Sequence, residues 1–175
     1  AEAHPSVMLH ALTVVHGNVP LEQTVRNACK ILDVMGSDAK VYRGCARPLV
    51  HEPAENAARV HGEDGLGDVG WPESPREVEP EHAAVAIVRM ANEAPGRYTL
   101  AAIGPLTNIA VALQLDPSLP SKLARFLVMG GAVNGRGNVL TGAAEFNIYT
   151  DPEAAAFVFD HWPSFELVDW EATVD

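Results

Sequence analysis

Cysteine is scarce in this chain: only Cys29 and Cys45 occur, too few for a disulfide framework and at no zinc-ligand spacing. Basic residues are scarce as well. Twelve Lys and Arg stand against 23 Asp and Glu, a net charge of −11, and no Lys/Arg run overrides the balance. Such a surface repels polyanions, so nucleic acid and anionic membranes are not expected partners. No stretch approaches the roughly 20 consecutive apolar residues of a membrane span. The chain also lacks an initial Met and any charged region leading an apolar one, so no signal peptide is read. With free thiols, this points to a cytoplasmic protein. Internal repeats and low-complexity tracts are absent.

What is present suffices for a core. Apolar residues make up 47% of the 175 residues, which argues against disorder. The length fits one domain or a piece of something larger, and 1–175 is read as one α/β domain. Both termini look cut through secondary structure: Ala1–His4 reads as a helix end, and Phe165–Trp170 as a strand close to the last residue. A domain truncated at both ends is the expectation.

Val7–Val15 has the β-formers of a strand buried on both faces. After His16-Gly17-Asn18, Pro20 suits a first helical turn. Leu21, Val25, Ala28, Leu32 and Met35 then form one apolar helical stripe, with Gly36 as its stop. A short strand is expected at Lys40–Arg43. Gly44–Pro80 is rich in Pro and Gly and has little periodicity, so it reads as a long loop, either functional or poorly ordered. Beyond it the pattern predicts a helix at Glu81–Glu93, a strand at Tyr98–Ile103 and a helix at Thr107–Leu115. A strand at Arg125–Met129, a glycine-rich loop at Gly130–Ala144 and a helix from Asp151-Pro152-Glu153 follow. This alternation indicates an α/β fold, a Rossmann-like, mainly parallel sheet with helices on both faces. In such sheets ligands bind beyond the carboxyl ends of the strands. His16-Gly17-Asn18, Gly104–Asn108 and Met129–Asn147 are the polar segments placed there.

Those segments carry TVVHGN (Thr13–Asn18), IGPLTNIA (Ile103–Ala110), LVMGGAV (Leu127–Val133), RGN (Arg136–Asn138) and AEFNIYTDPEAA (Ala144–Ala155). The long loop adds HGEDGLG at His61–Gly67. In this order, and over nearly the whole chain, they resemble the inosine/uridine-preferring nucleoside hydrolase family. The resemblance implies the nucleoside hydrolase fold and hydrolysis of the N-glycosidic bond of ribonucleosides by calcium-assisted attack of water. It also implies what this sequence does not contain: an Asp-rich DTDxGxDD strand supplying calcium ligands and the base, and a later His-Asp segment. The expectation is therefore a central fragment that retains sugar contacts and is inactive alone. Its partners would be small-molecule ribonucleosides, with no nucleic acid and no membrane; homo-oligomerisation is left open.

The chemistry accounts for these residue types. Cleavage builds oxocarbenium character on the sugar, and calcium, a hard cation with oxygen ligands, can orient water and diol together. Glu145 and Asn147 flank Phe146 in what reads as a short extended segment, with both polar groups on one side and Phe146 on the other. Alone, that is a surface-polar, core-aromatic strand; the resemblance makes Glu145 and Asn147 ribose-hydroxyl binders. Asn138 is otherwise a turn residue and by resemblance contacts the ribose 5′ side. Asn18 is otherwise a turn or cap and by resemblance lies near the ribose. Met129 is either a buried strand-end residue or a pocket wall. Ile103 would offer calcium its backbone carbonyl. His61, otherwise an exposed histidine among charges, would sit near the nucleobase and is the one candidate catalytic group. Asp151 reads as a helix cap, not a catalyst.

Two other functions compete. A non-catalytic ribosyl-binding or scaffold fragment of the same fold fits the missing Asp cluster. A dinucleotide-dependent oxidoreductase fits the fold, but Gly135-Arg136-Gly137 lacks the third glycine and the helix that its motif requires.

Overall fold

The computed structural model describes residues 4, 6–52 and 57–174. Strands and helices alternate as β1 (Ala11–Val14), α1 (Leu21–Met35), β2 (Lys40–Arg43), α2 (Ala58–His61), α3 (Ala83–Glu93) and β3 (Thr99–Ala102). Then follow α4 (Thr107–Leu115), β4 (Arg125–Met129), α5 (Phe146–Thr150), α6 (Pro152–His161) and β5 (Glu166–Val168). Every strand pair is parallel. The pairs form two sheets, β1–β2 and β3–β4–β5, and β1 is not paired with β3.

The apolar stripe of α1 does what its spacing dictates. Leu21, Val25, Ala28 and Leu32 pack on Leu12, Val14 and Val41, while Met35 at the end is left exposed. Gly36 adopts φ 63°, and its N–H and that of Ser37 reach back to Asp33 and Leu32 carbonyls. Glycine enters that left-handed region without a Cβ penalty. The opposite face of β1–β2 presents Ala11 and Tyr42 to Ala83, Ala86 and Met90 of α3, so this sheet is covered on both sides. In the second sheet Leu100, Ala102, Phe126 and Val128 pack on α3, α4 and α6 in the largest core. Phe126 lies against Trp162 at a ring separation of 4.1 Å.

Several boundaries differ from the sequence reading. The strand expected from Val7 begins at Ala11, because its ladder partner begins only at Lys40; Val7 and Met8 are exposed. The third strand is trimmed to Thr99–Ala102 and the last to Glu166–Val168. The helix expected from Glu81 starts at Ala83, since Glu79 bridges to β2 and His82 caps the helix through the Ala84 N–H. The long loop contains α2, and 145–147 is not extended: Glu145 caps α5. The proposed helix end at Ala1–His4 lies, except for His4, outside the described residues.

Candidate active site

A cavity of about 500 Å³ opens at the carboxyl ends of the strands. Asn18 after β1 and Arg59, Val60 and His61 of α2 line one side. Ile103 after β3 and Met129 ending β4 lie between, and Asn138, Val139, Glu145, Phe146, Asn147 and Trp170 complete the wall. All seven residues singled out from sequence meet here: Asn18, His61, Ile103, Met129, Asn138, Glu145 and Asn147.

How Glu145 and Asn147 arrive there corrects the alternation argument. Glu145 is 2% exposed. Its Oε1 accepts the Asn147 N–H at 2.9 Å, and Oε2 accepts those of Ile148 and Gly131, both at 3.1 Å. A carboxylate at a helix N-terminus meets otherwise unpaired N–H donors and the positive end of the dipole, and that local gain replaces the extended conformation. Phe146 consequently lines the cavity instead of pointing away.

Asn147 Nδ2 donates to the Met129 carbonyl at 3.2 Å and contacts its sulfur at 3.3 Å, which leaves Oδ1 to accept from a ligand. Asn138 Oδ1 accepts the Phe146 N–H at 2.7 Å, which leaves its NH₂ to donate. Asn18 accepts the Ala57 N–H on its backbone oxygen at 2.9 Å; its side chain makes no hydrogen bond among the described residues. Ile103 is 79% exposed just past the end of β3, unlike the core residues that usually occupy strand ends. His61 is exposed at the end of α2. These unspent amide groups suit a ligand with several hydroxyls, and Met129, Val139, Phe146 and Trp170 give it apolar walls.

Close in sequence to the cavity residues lies a buried polar chain that is not part of the lining. His16 Nε2 is 3.0 Å from Thr107 Oγ1, which donates to Asp151 Oδ2 at 2.6 Å. Burial lowers the His16 pKa, opposed by the charge of Asp151, and burial raises that of the Cys45 thiol. Asp151 also accepts the Ala154 N–H at 3.0 Å, which bears out its reading as a helix cap.

The residues present do not complete a calcium site. Among the described residues no three His, Cys, Asp or Glu converge as a metal site. Among the described residues the one carboxylate lining the cavity, that of Glu145, is engaged by three backbone N–H groups. Calcium takes six to eight oxygens, carboxylates prominent among them. The Ile103 carbonyl and neutral amides fall short of that set, so no step is derived through a metal.

Parallel strands flanked by helices, with an amide-lined cavity at the strand ends, define an α/β protein with a polar pocket at the carboxyl edge of its strands. The chain matches the inosine-uridine preferring nucleoside hydrolase family over residues 1–175, and it belongs to that family. It is 44% identical over 155 residues to the non-specific ribonucleoside hydrolase RihC of Salmonella typhimurium, covering 89% of this chain and 50% of the relative. Two solved structures superpose with TM-scores of 0.89. One, an inosine-guanosine nucleoside hydrolase, is 40% identical and covers 98% of this chain and 54% of that one. The other, a purine-preferring ribonucleoside hydrolase from Gardnerella vaginalis, is 34% identical and covers 95% and 54%. The chain thus spans about half the length of these relatives.

Sequence reasoning missed Arg59, Val60, Val139, Phe146 and Trp170 in the cavity wall. Phe146 could have been found by reading Glu145 as a cap. Trp170 carried no such signal, since the sequence reading placed it as the last residue of the final strand, which the structure ends at Val168. Thr107 and Asn108 lay inside a quoted motif without being assigned a role.

Proposed function

We propose that the chain is a single nucleoside-hydrolase-like domain that forms the ribosyl-binding part of an enzyme hydrolysing the N-glycosidic bond of ribonucleosides. The observation that carries this reading is the meeting of Asn18, Asn138, Glu145 and Asn147, from separate segments, in one cavity. Asn147 Oδ1 accepts from a ribose hydroxyl and Asn138 Nδ2 donates to another, while Asn18 holds the sugar from the β1 side. Glu145 aligns Asn147 by fixing the first turn of α5. His61, on a separate element, lies by the nucleobase, where an imidazole can stack or supply a proton to the leaving group. Calcium is the proposed cofactor, and the Ile103 carbonyl is its candidate ligand in this chain. Membrane and nucleic acid are not part of this reading, and a cytoplasmic setting is proposed from the sequence features alone.

The occupied state of Glu145 supports a second reading, ribosyl binding without turnover, because among the described residues the one carboxylate in the cavity wall is already held by backbone N–H groups. One experiment separates the two. The purified chain is mixed with inosine or uridine and calcium, and free base and calcium affinity are measured. We expect weak calcium binding and no sustained base release, with nucleosides still bound. Turnover abolished by Asn147→Ala would establish that the chain is catalytic as it stands. In the binding measurement Asn147→Ala should weaken inosine and uridine alike, by about tenfold for one lost hydrogen bond. His61→Ala should instead change their ranking. An equal loss with both variants would remove His61 from base recognition.

A further inference from the structure

Three buried polar side chains join segments that no strand pairing joins. His16 is 4% exposed, Thr107 1% and Asp151 0%. His16 lies two residues before Asn18, Thr107 four after Ile103, and Asp151 four after Asn147. Asp151 Oδ2 also accepts the Leu49 N–H at 3.0 Å, which anchors the segment leading towards α2. β1 and β3 are not paired in this chain, so contacts other than a ladder set Asn18 relative to Ile103 and Asn147. Of these, α3, packed on both halves, supplies apolar ones, and His16, Thr107 and Asp151 supply polar ones.

We propose that His16, Thr107 and Asp151 are a positioning relay that holds Asn18 in register with Ile103 and Asn147 where β1 and β3 are not paired. The polarity of the relay follows from donor counting. Three donors converge on Asp151: the Thr107 hydroxyl, the Leu49 N–H and the Ala154 N–H. That is the pattern of an ionised carboxylate, which only accepts. Thr107 has one proton and gives it to Asp151, so its oxygen accepts from His16. His16 is therefore the Nε2–H tautomer, and every donor in the relay points towards Asp151. Turning the Thr107 hydroxyl round sets its proton against the His16 Nε2–H, and the Nδ1–H tautomer of His16 sets acceptor against acceptor; low-dielectric surroundings penalise both mismatches. Asn108 provides a separate tie to β1, donating to the Thr13 and Val14 carbonyls at 3.3 and 3.0 Å. Loss of the relay should thus shift the pocket without unfolding the chain.

The binding part of the test rests on the ribosyl reading; the spectroscopic part does not. Ring ¹⁵N spectra of the full chain, with His16 assigned by His16→Gln, should show a neutral Nε2–H imidazole that does not titrate like a free one. An Nδ1–H tautomer or an ordinary titration overturns the relay whatever any variant does. Thr107→Val removes the hydroxyl at nearly constant volume. It should move the side-chain amide resonances of Asn18 and Asn147 and weaken inosine binding by about tenfold or more, as misplacement of binding groups does. Thr107→Ser should restore both. Unmoved Asn18 and Asn147 resonances in folded Thr107→Val, or no recovery with Ser, overturn the proposal. If the wild-type chain binds no inosine, the ribosyl reading fails and the resonances alone decide the relay.

Discussion

Glu145 shows how one side chain can be read correctly by position and incorrectly by conformation. The EFN spacing brought it to the cavity, but its carboxylate serves three backbone N–H groups of α5 and Gly131. Its truncation is therefore a stability lesion before it is a binding lesion. Glu145→Ala leaves buried donors unpaired and removes a cap, with an expected cost of about 2–4 kcal/mol, readable as a fall in the urea midpoint at unchanged slope. A midpoint unchanged within error would mean that the carboxylate is free for ligand instead. Asn147 belongs to the other kind: its amide N–H is spent on Met129, yet its oxygen remains available. The two neighbours should separate cleanly, one in stability and one in affinity.

At the scale of elements, the glycine-rich segment between β4 and α5 is a built turn. Gly137 N–H donates to the Gly142 carbonyl, and Asn138 and Val139 N–H donate to that of Ala144, at 2.8, 2.9 and 3.3 Å. A Cβ on Gly137 would collide with the Ala144 backbone, and backbone cannot rotate aside as a side chain can. Gly137→Ala should cost about 1–3 kcal/mol, the range for forced overpacking. It should also detach Asn138 from Phe146, so inosine affinity falls along with Tm. A variant with wild-type affinity and Tm would show that the turn tolerates opening. The elements themselves were largely legible: α1, β2, α4 and β4 have the bounds that periodicity indicated. The misses sit where a partner or a cap decides. β1 is short because β2 is short, and α5 exists because Glu145 can cap it; neither fact is contained in an apolar pattern.

At the scale of the whole molecule, buried polar side chains connect the segments that follow β1, β3 and α5, and one of them titrates. The folded state lowers the His16 pKa below 6.5, chiefly by burial. As pH falls below 6.5, the unfolded chain takes up a proton that the folded chain resists. Stability therefore declines on acidification, by at most about 1.4 kcal/mol per pH unit from this group. His16→Gln should flatten that part of the profile in urea unfolding between pH 7.5 and 5. An equal slope in both proteins would assign the acid sensitivity elsewhere. Asp116 acts in a lower window. Lys122, Ser118 and Asn92 hold its carboxyl well below the usual 3.8, so the stabilisation it provides is present above 3.8 and lost as pH drops through its folded value.

The sequence by itself determined the alternation of strands and helices, the parallel pairing that follows from it, and the segments at the strand ends. These depend on spacing and on turn chemistry within a few residues. Motifs in the right order named the family and the cavity residues. Only the tertiary structure decided that Glu145 is spent as a cap, that Trp170 and Phe146 wall the cavity, and that His16, Thr107 and Asp151 meet. His16 and Thr107 are 91 residues apart, and Thr107 and Asp151 are 44 apart. Contacts of that kind arise when a helix start is packed against a strand end, and no local pattern encodes which polar side chains will then face each other in the space that water has left.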